Sequence, residues 1–380
     1  MNKIDAQGLF FAESHPTPHF SRSISVRLNT SSGRAPSRPI IWIALIFLTT
    51  VWALNFIAGK IALRYLPAMT LASIRVVLAG FFMLLLNPLC RRLSVFRKPS
   101  TSESSGSSPN PSNSSNVAIS PNPVKKIVIP SEARDLFLSS TIHNSRTTVH
   151  DLWTFLYLGF LGVTVNQICF TIGLRFTSVT HSAIIVGMGP IYALILAVLF
   201  RLESATFRKV LGMTVSLLGV FLLATARDSA QYSPTLFGDF ITFIGSLGFA
   251  FYAVLGKRVA SRYDALTMTT YNFFFGALLV LPIAILRAIA FGPHWLALPW
   301  PGWAALLYMA LFSSSLAYLF YFLLLRYLEV TQLAAYNYLL PVSASLLGIL
   351  LLNERGSWPE LLGGALVLAG VYFVESTRTP

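Results

Sequence analysis

Long apolar runs dominate the chain, and short polar stretches separate them. Ten runs approach the roughly 20 residues that a helix needs to cross a hydrocarbon core. They cover 40–58, 69–89, 152–173, 180–200, 208–226, 237–256, 267–288, 302–324, 331–352 and 358–375. Only helices and closed barrels satisfy their backbone inside lipid, and unbroken runs of this length exclude a barrel. The pattern therefore predicts an all-α membrane protein with ten transmembrane helices.

Two polar segments stand outside this pattern. Residues 1–39 are rich in Ser, Pro and Arg and contain no apolar core of a signal peptide, so a disordered tail is expected. Residues 91–150 include the low-complexity stretch PSTSESSGSSPNPSNSSN, which cannot bury enough apolar surface to order itself.

The second half of the chain repeats the first. A shift of 151 residues lays Arg175 on Arg326, Thr180 on Thr331, Pro190 on Pro341, Glu203 on Glu354, Gly212 on Gly363 and Gly219 on Gly370. Apolar composition does not produce an Arg, a Pro, a Glu and two Gly at one common offset. Earlier in each half the offset changes, with Gly59–Lys60 matching Gly256–Lys257 at 197. Extra chain between the second and third helices accounts for the change, and that is the low-complexity segment. The expected units are a tail (1–39), a first five-helix repeat (40–226, with the insertion at 91–150) and a second five-helix repeat (237–375). Five helices per repeat place the copies in opposite orientations, and such inverted repeats characterise alternating-access transporters.

Charge fits this layout. Lys and Arg number 28 against 14 acidic residues, and charged residues make up only 11% of the chain. That is too few to clothe a soluble protein, which carries about 25%. The basic residues sit between apolar runs and form no polar face for nucleic acid. With ten spans, one side of the membrane holds 21 Lys/Arg and the other six, with Arg75 inside helix two. The positive-inside rule then places both termini and the insertion in the cytoplasm. Two cysteines and six scattered histidines supply neither a disulfide framework nor a metal site, and no cofactor is expected.

The runs WALNFIAGK (52–60), LASIRVVLAG (71–80), SAIIVGMGPIYALILAVLFRLES (182–204) and LPVSASLLGILLLNER (340–355) resemble the drug/metabolite transporter superfamily. Within it they resemble the ten-helix EamA-type permeases with two copies of the domain. The resemblance covers 40–89 and 152–375. It implies a permease of the cytoplasmic (inner) membrane, often an exporter of metabolites or amino-acid-like compounds. Its cavity would be lined mainly by helices one, three, four, six, eight and nine.

The candidate cavity residues follow from polarity and position. Pro190 and Pro341 lie near the midplane, and each leaves the carbonyl four residues earlier without its usual N–H partner. Trp52, Asn55, Asn166, Gln167, Tyr252, Tyr318, Tyr321, Tyr336 and Asn337 form a polar set spread over the expected lining helices. Interhelical hydrogen bonding accounts for any one of them, and a polar pathway better accounts for the set. Glu203 and Glu354 end helices four and nine, where capping of the following helix is expected rather than proton coupling. Arg75 is expected to snorkel or to pair with a helix-end carbonyl, with recognition of an anionic cargo group as the alternative. The glycine stripes of helices five and ten suit close packing or a homodimer interface.

A secondary transporter of small molecules in the lipid bilayer is the leading function. A polytopic enzyme is disfavoured because no carboxylates converge near a midplane and no nucleophile elbow or P-loop is present. A sensor or scaffold lacks a folded extramembrane domain to signal through.

Overall fold

The computed structural model describes residues 38–95, 149–177, 179–226, 235–260, 262–295, 297–343, 346 and 358–376. Residues 1–37 of the expected tail, most of the insertion and Glu354 lie outside the described residues. The described residues are helical, joined by turns and short irregular links, and they belong to one compact unit.

Ten helical segments follow the predicted order. The first repeat begins with α1 (Arg38–Ala62) and α2 (Ala68–Val95). Next, α3 runs over 149–176 with a π-helical turn at Gly159–Val165. The two pieces of α4, Val179–Gly187 and Gly189–Leu199, are followed by α5 (Phe207–Ala226). In the second repeat come α6 (Leu236–Ala260), α7 (Ala265–Phe291) and α8 (Trp300–Tyr327). α8 carries its own π-helical turn at Met309–Leu316. α9 starts at Val330–Ala335, tightens to a 3-10 turn at Tyr336–Tyr338 and is described to residue 343; α10 is Trp358–Glu375. Six of these helices are long and apolar enough to cross a membrane by themselves, namely α1, α2, α3, α6, α7 and α8.

The side chains are arranged as lipid requires. Ile43, Leu199 and Ile289 are each about two-thirds exposed or more, whereas the interior holds Ser73, Thr171, Thr269 and Thr331. In hydrocarbon an unpaired hydroxyl is costly, so buried Ser and Thr turn back onto their own helix. Ser73 Oγ donates to the Met69 carbonyl at 2.7 Å, and Thr171 Oγ1 to that of Gln167 at 2.8 Å.

The repeat seen in sequence recurs as three-dimensional devices. Lys60, near the end of α1, donates from Nζ to the carbonyls of Leu174 (2.9 Å) and Thr177 (3.3 Å) at the end of α3. Its counterpart Lys257 donates to those of Leu325 (2.6 Å) and Leu328 (2.7 Å) at the end of α8. A cation on the orphan carbonyls of a helix C-terminus satisfies them and opposes the dipole. The two π-helical turns also fall at matching positions of the two repeats.

α5 and α10 pack on each other through the glycine stripes. A Cβ on Gly219 would lie 2.6 Å from the Gly363 carbonyl oxygen, and one on Gly212 would lie 2.6 Å from that of Gly370. Ser216 Oγ, between these glycines, donates to the Val367 carbonyl at 3.3 Å. The stripes are thus occupied inside one chain, and self-association through α5 and α10 would use their other faces.

Candidate functional site

The π-helical turns build the centre of the molecule. An extra residue per turn widens the backbone spiral and re-aims the side chains that follow, and such turns recur at functional sites. In α3 the turn delivers Asn166 and Gln167 to the interior. In α8 it sets Ser313, Ser314 and Ser315 side by side, all of them buried.

A cavity of about 790 Å³, its open mouth included, lies among α1, α2, α3, α4, α6, α8 and α9. One wall is aromatic: Trp52 packs on Phe249, Tyr318 and Tyr321 with ring centroids 5.7, 6.0 and 5.8 Å away. The polar wall is a connected network. Trp52 Nε1 donates to the Ser313 carbonyl at 3.2 Å. Asn166 Nδ2 donates to the Gly245 carbonyl at 2.9 Å. The Tyr318 hydroxyl lies 2.9 Å from Asn166 Oδ1 and 3.1 Å from the Gly162 carbonyl, sharing its proton between them.

Seven of the eleven predicted residues line this cavity: Trp52, Asn55, Asn166, Gln167, Tyr318, Tyr321 and Asn337. The other four do not. Tyr252 is fully buried behind the wall, its ring against Gly162, where a Cβ would come within 2.2 Å of it. Its hydroxyl takes a hydrogen bond from Asn272 Nδ2 at 3.4 Å. Tyr336 points away and meets Trp42 edge-on at 5.7 Å. Neither proline touches the cavity, but Val186 and Asn337, four residues before Pro190 and Pro341, both line it. Pro190 does not bend a continuous helix. It sits in the first turn of the second piece of α4, after a break at Met188, where its missing N–H costs nothing.

Arg75 corrects the snorkelling expectation. It is 3% exposed and turns into the protein, where Nε and Nη2 donate to Ser314 Oγ at 3.2 and 3.1 Å. Ser314 in turn donates to Gln167 Oε1 at 2.8 Å. Sequence reading missed Ser313, Ser314, Ser246 and Phe249. A run of three serines within an apolar span was the available signal for the first two.

Glu203 caps a helix, but not the one that follows it. α4 ends with Arg201 in the left-handed region (φ 55°), and the Leu202 N–H returns to the Ala197 carbonyl at 2.8 Å. This turn lifts Glu203 onto the N-terminus of α9. There Oε1 accepts from the Val330 N–H (2.6 Å) and the Thr331 N–H (3.3 Å), while Oε2 accepts from the Thr331 hydroxyl. Lys209 of α5, only 3% exposed, bridges Glu203 (3.1 Å) and Glu329 (2.7 Å). The end of α4, α5 and the start of α9, drawn from both repeats, are tied together here.

Comparison with known proteins agrees with this architecture. The EamA-like transporter family matches residues 136–225 and 236–376, and the chain belongs to it. It is therefore a multi-pass membrane transporter of small solutes and not an enzyme. An uncharacterized transporter of Archaeoglobus fulgidus is 23% identical over 89% of this chain and 99% of its own length. A protein of Streptantibioticus cattleyicolor, named a probable terminal-alkyne amino-acid exporter, is 24% identical over 60% of this chain and 75% of its own. One solved crystal structure shares the fold with a TM-score of 0.59, at 16% identity over 89% of this chain and 96% of that one.

Proposed function

We propose that the protein exports small amino-acid-like or drug-like organic solutes across the cytoplasmic membrane, as a secondary transporter working by alternating access. Both termini face the cytoplasm in this reading, which rests on the distribution of basic residues. The observation that carries the proposal is the cavity itself. It lies mid-bundle, draws its walls from both repeats, and combines an aromatic surface with a few convergent polar groups. The repeat-related lysine pins on α3 and α8 support two half-bundles able to rock about that site. The amino-acid exporter among the relatives supports the solute class.

Sealed proteoliposomes loaded with radiolabelled amino acids and related hydrophobic solutes test this. Protein-dependent efflux that saturates with solute is the expected result. Its absence across the panel, from protein shown to be folded, would reject transport of this class.

A further inference from the structure

We infer that Arg75 and Gln167 form an anchor for the carboxylate of a small organic anion in the central cavity. This rests on the transport reading and names the chemistry its cargo must carry.

Arg75 is a permanent cation, since guanidinium does not deprotonate in proteins. It lies inside a membrane-spanning helix with no carboxylate partner among the described residues. Its neighbour is a neutral hydroxyl, which absorbs only Nε and Nη2. Nη1 is buried with no hydrogen-bond partner. An uncompensated charge in this setting costs several kcal/mol or more, and intramembrane cations commonly mark a substrate path.

The second donor is set by proton counting. The Ser314 hydroxyl owns one proton and accepts two hydrogen bonds from Arg75. That proton goes to Gln167 Oε1, so the amide is held with Nε2 turned away from Ser314. Gln167 Nε2 is likewise buried and makes no hydrogen bond of normal geometry, its amide lying beside the Tyr318 hydroxyl. Both residues line the cavity, and among the described residues no Asp or Glu does. Two unused N–H donors, one charged, joined through a shared serine, match the two oxygens of a carboxylate. In the same wall Asn55 Oδ1 is a buried acceptor without a partner, suited to an N–H on the cargo. The aromatic surface of Trp52, Phe249 and Tyr321 takes the apolar remainder.

The test compares carboxylates with their carboxamide isosteres on the purified full chain. Benzoate, phenylacetate and L-phenylalanine are titrated against benzamide, phenylacetamide and L-phenylalaninamide, with binding read by calorimetry and thermal stabilisation. At least one carboxylate should bind about tenfold or more tighter than its amide, the scale of a charge-assisted hydrogen bond. Arg75→Gln should bring that ratio to about one, and Arg75→Lys should leave it intermediate, because lysine keeps the charge without the fork. If Arg75→Gln does not fold, the wild-type ratio and the Gln167→Met variant decide. Equal affinity for acid and amide, or no binding of any of the carboxylates, overturns the assignment. Sodium chloride reproducing the carboxylate effect would make this a halide site and equally overturns it. Efflux of solutes in proteoliposomes without acid–amide discrimination would sink the anchor and leave the transporter standing. Discrimination without flux would do the reverse.

Discussion

Glu203 shows how much one side chain holds together in this protein. It is nearly buried, accepts three hydrogen bonds from the first residues of α9, and pairs with a lysine that is itself buried. Glu203→Gln keeps the shape and one acceptor but leaves Lys209 relying on the more exposed Glu329. Breaking one partner of a buried pair costs about 3–5 kcal/mol, and loss of one neutral hydrogen bond costs about 1 kcal/mol. Glu203→Gln should therefore lower the melting temperature of the solubilised protein clearly more than Thr331→Val does. Equal effects of the two variants would show that the hydroxyl, not the charge, makes the lock. That glutamate at the end of helix four would cap something was legible in the sequence. Which helix it caps was not, because the partner lies 127 residues away and is reached through a left-handed turn at Arg201.

At the scale of elements, close helix approach and broken helices do the work. α5 and α10 meet backbone to backbone, so any side chain at the contact must push them apart. Alanine is the better helix former by about 1 kcal/mol, yet Gly219→Ala should destabilise, by about 1–3 kcal/mol. Gly364→Ala provides the control, since among the described residues the nearest atom to its Cβ is 4.0 Å away, and it should be neutral or stabilising. Loss of folded protein from both variants alike would argue against the packing account. In α9 the 3-10 turn at Tyr336–Tyr338 lies just before Pro341 and holds Asn337 at the cavity. Pro341→Ala restores an N–H that draws this turn into a regular α-helix and re-pairs the Asn337 carbonyl. Efflux per folded protein should then fall while the melting temperature stays level or rises. A parallel loss of both would reduce Pro341 to a structural role.

Over the whole molecule, two copies of one five-helix unit enclose a site that neither completes alone. Reporter fusions after Pro380 and within residues 105–120 should behave as cytoplasmic, as the basic-residue distribution demands. An external signal from either position would reverse the orientation and with it the direction assigned to transport. The sequence alone determined the all-α membrane class, the positions of the helices, the repeat and the family. Those properties follow from apolar run length and self-similarity, which are written along one dimension. It also named seven of the residues that line the cavity, since a polar side chain within an apolar span needs an interior partner. Only the tertiary structure decided which polar residues share that interior. The π-helical turns in α3 and α8 and the break in α4 shift helical phase by an amount that apolar composition leaves unmarked. Tyr252 on α6 and Tyr336 on α9 lie behind the walls, while the π-helical turn in α8 brings Ser314 to Arg75, turning the guanidinium inward. The chemistry of the site depends on that last contact, between residues 239 positions apart.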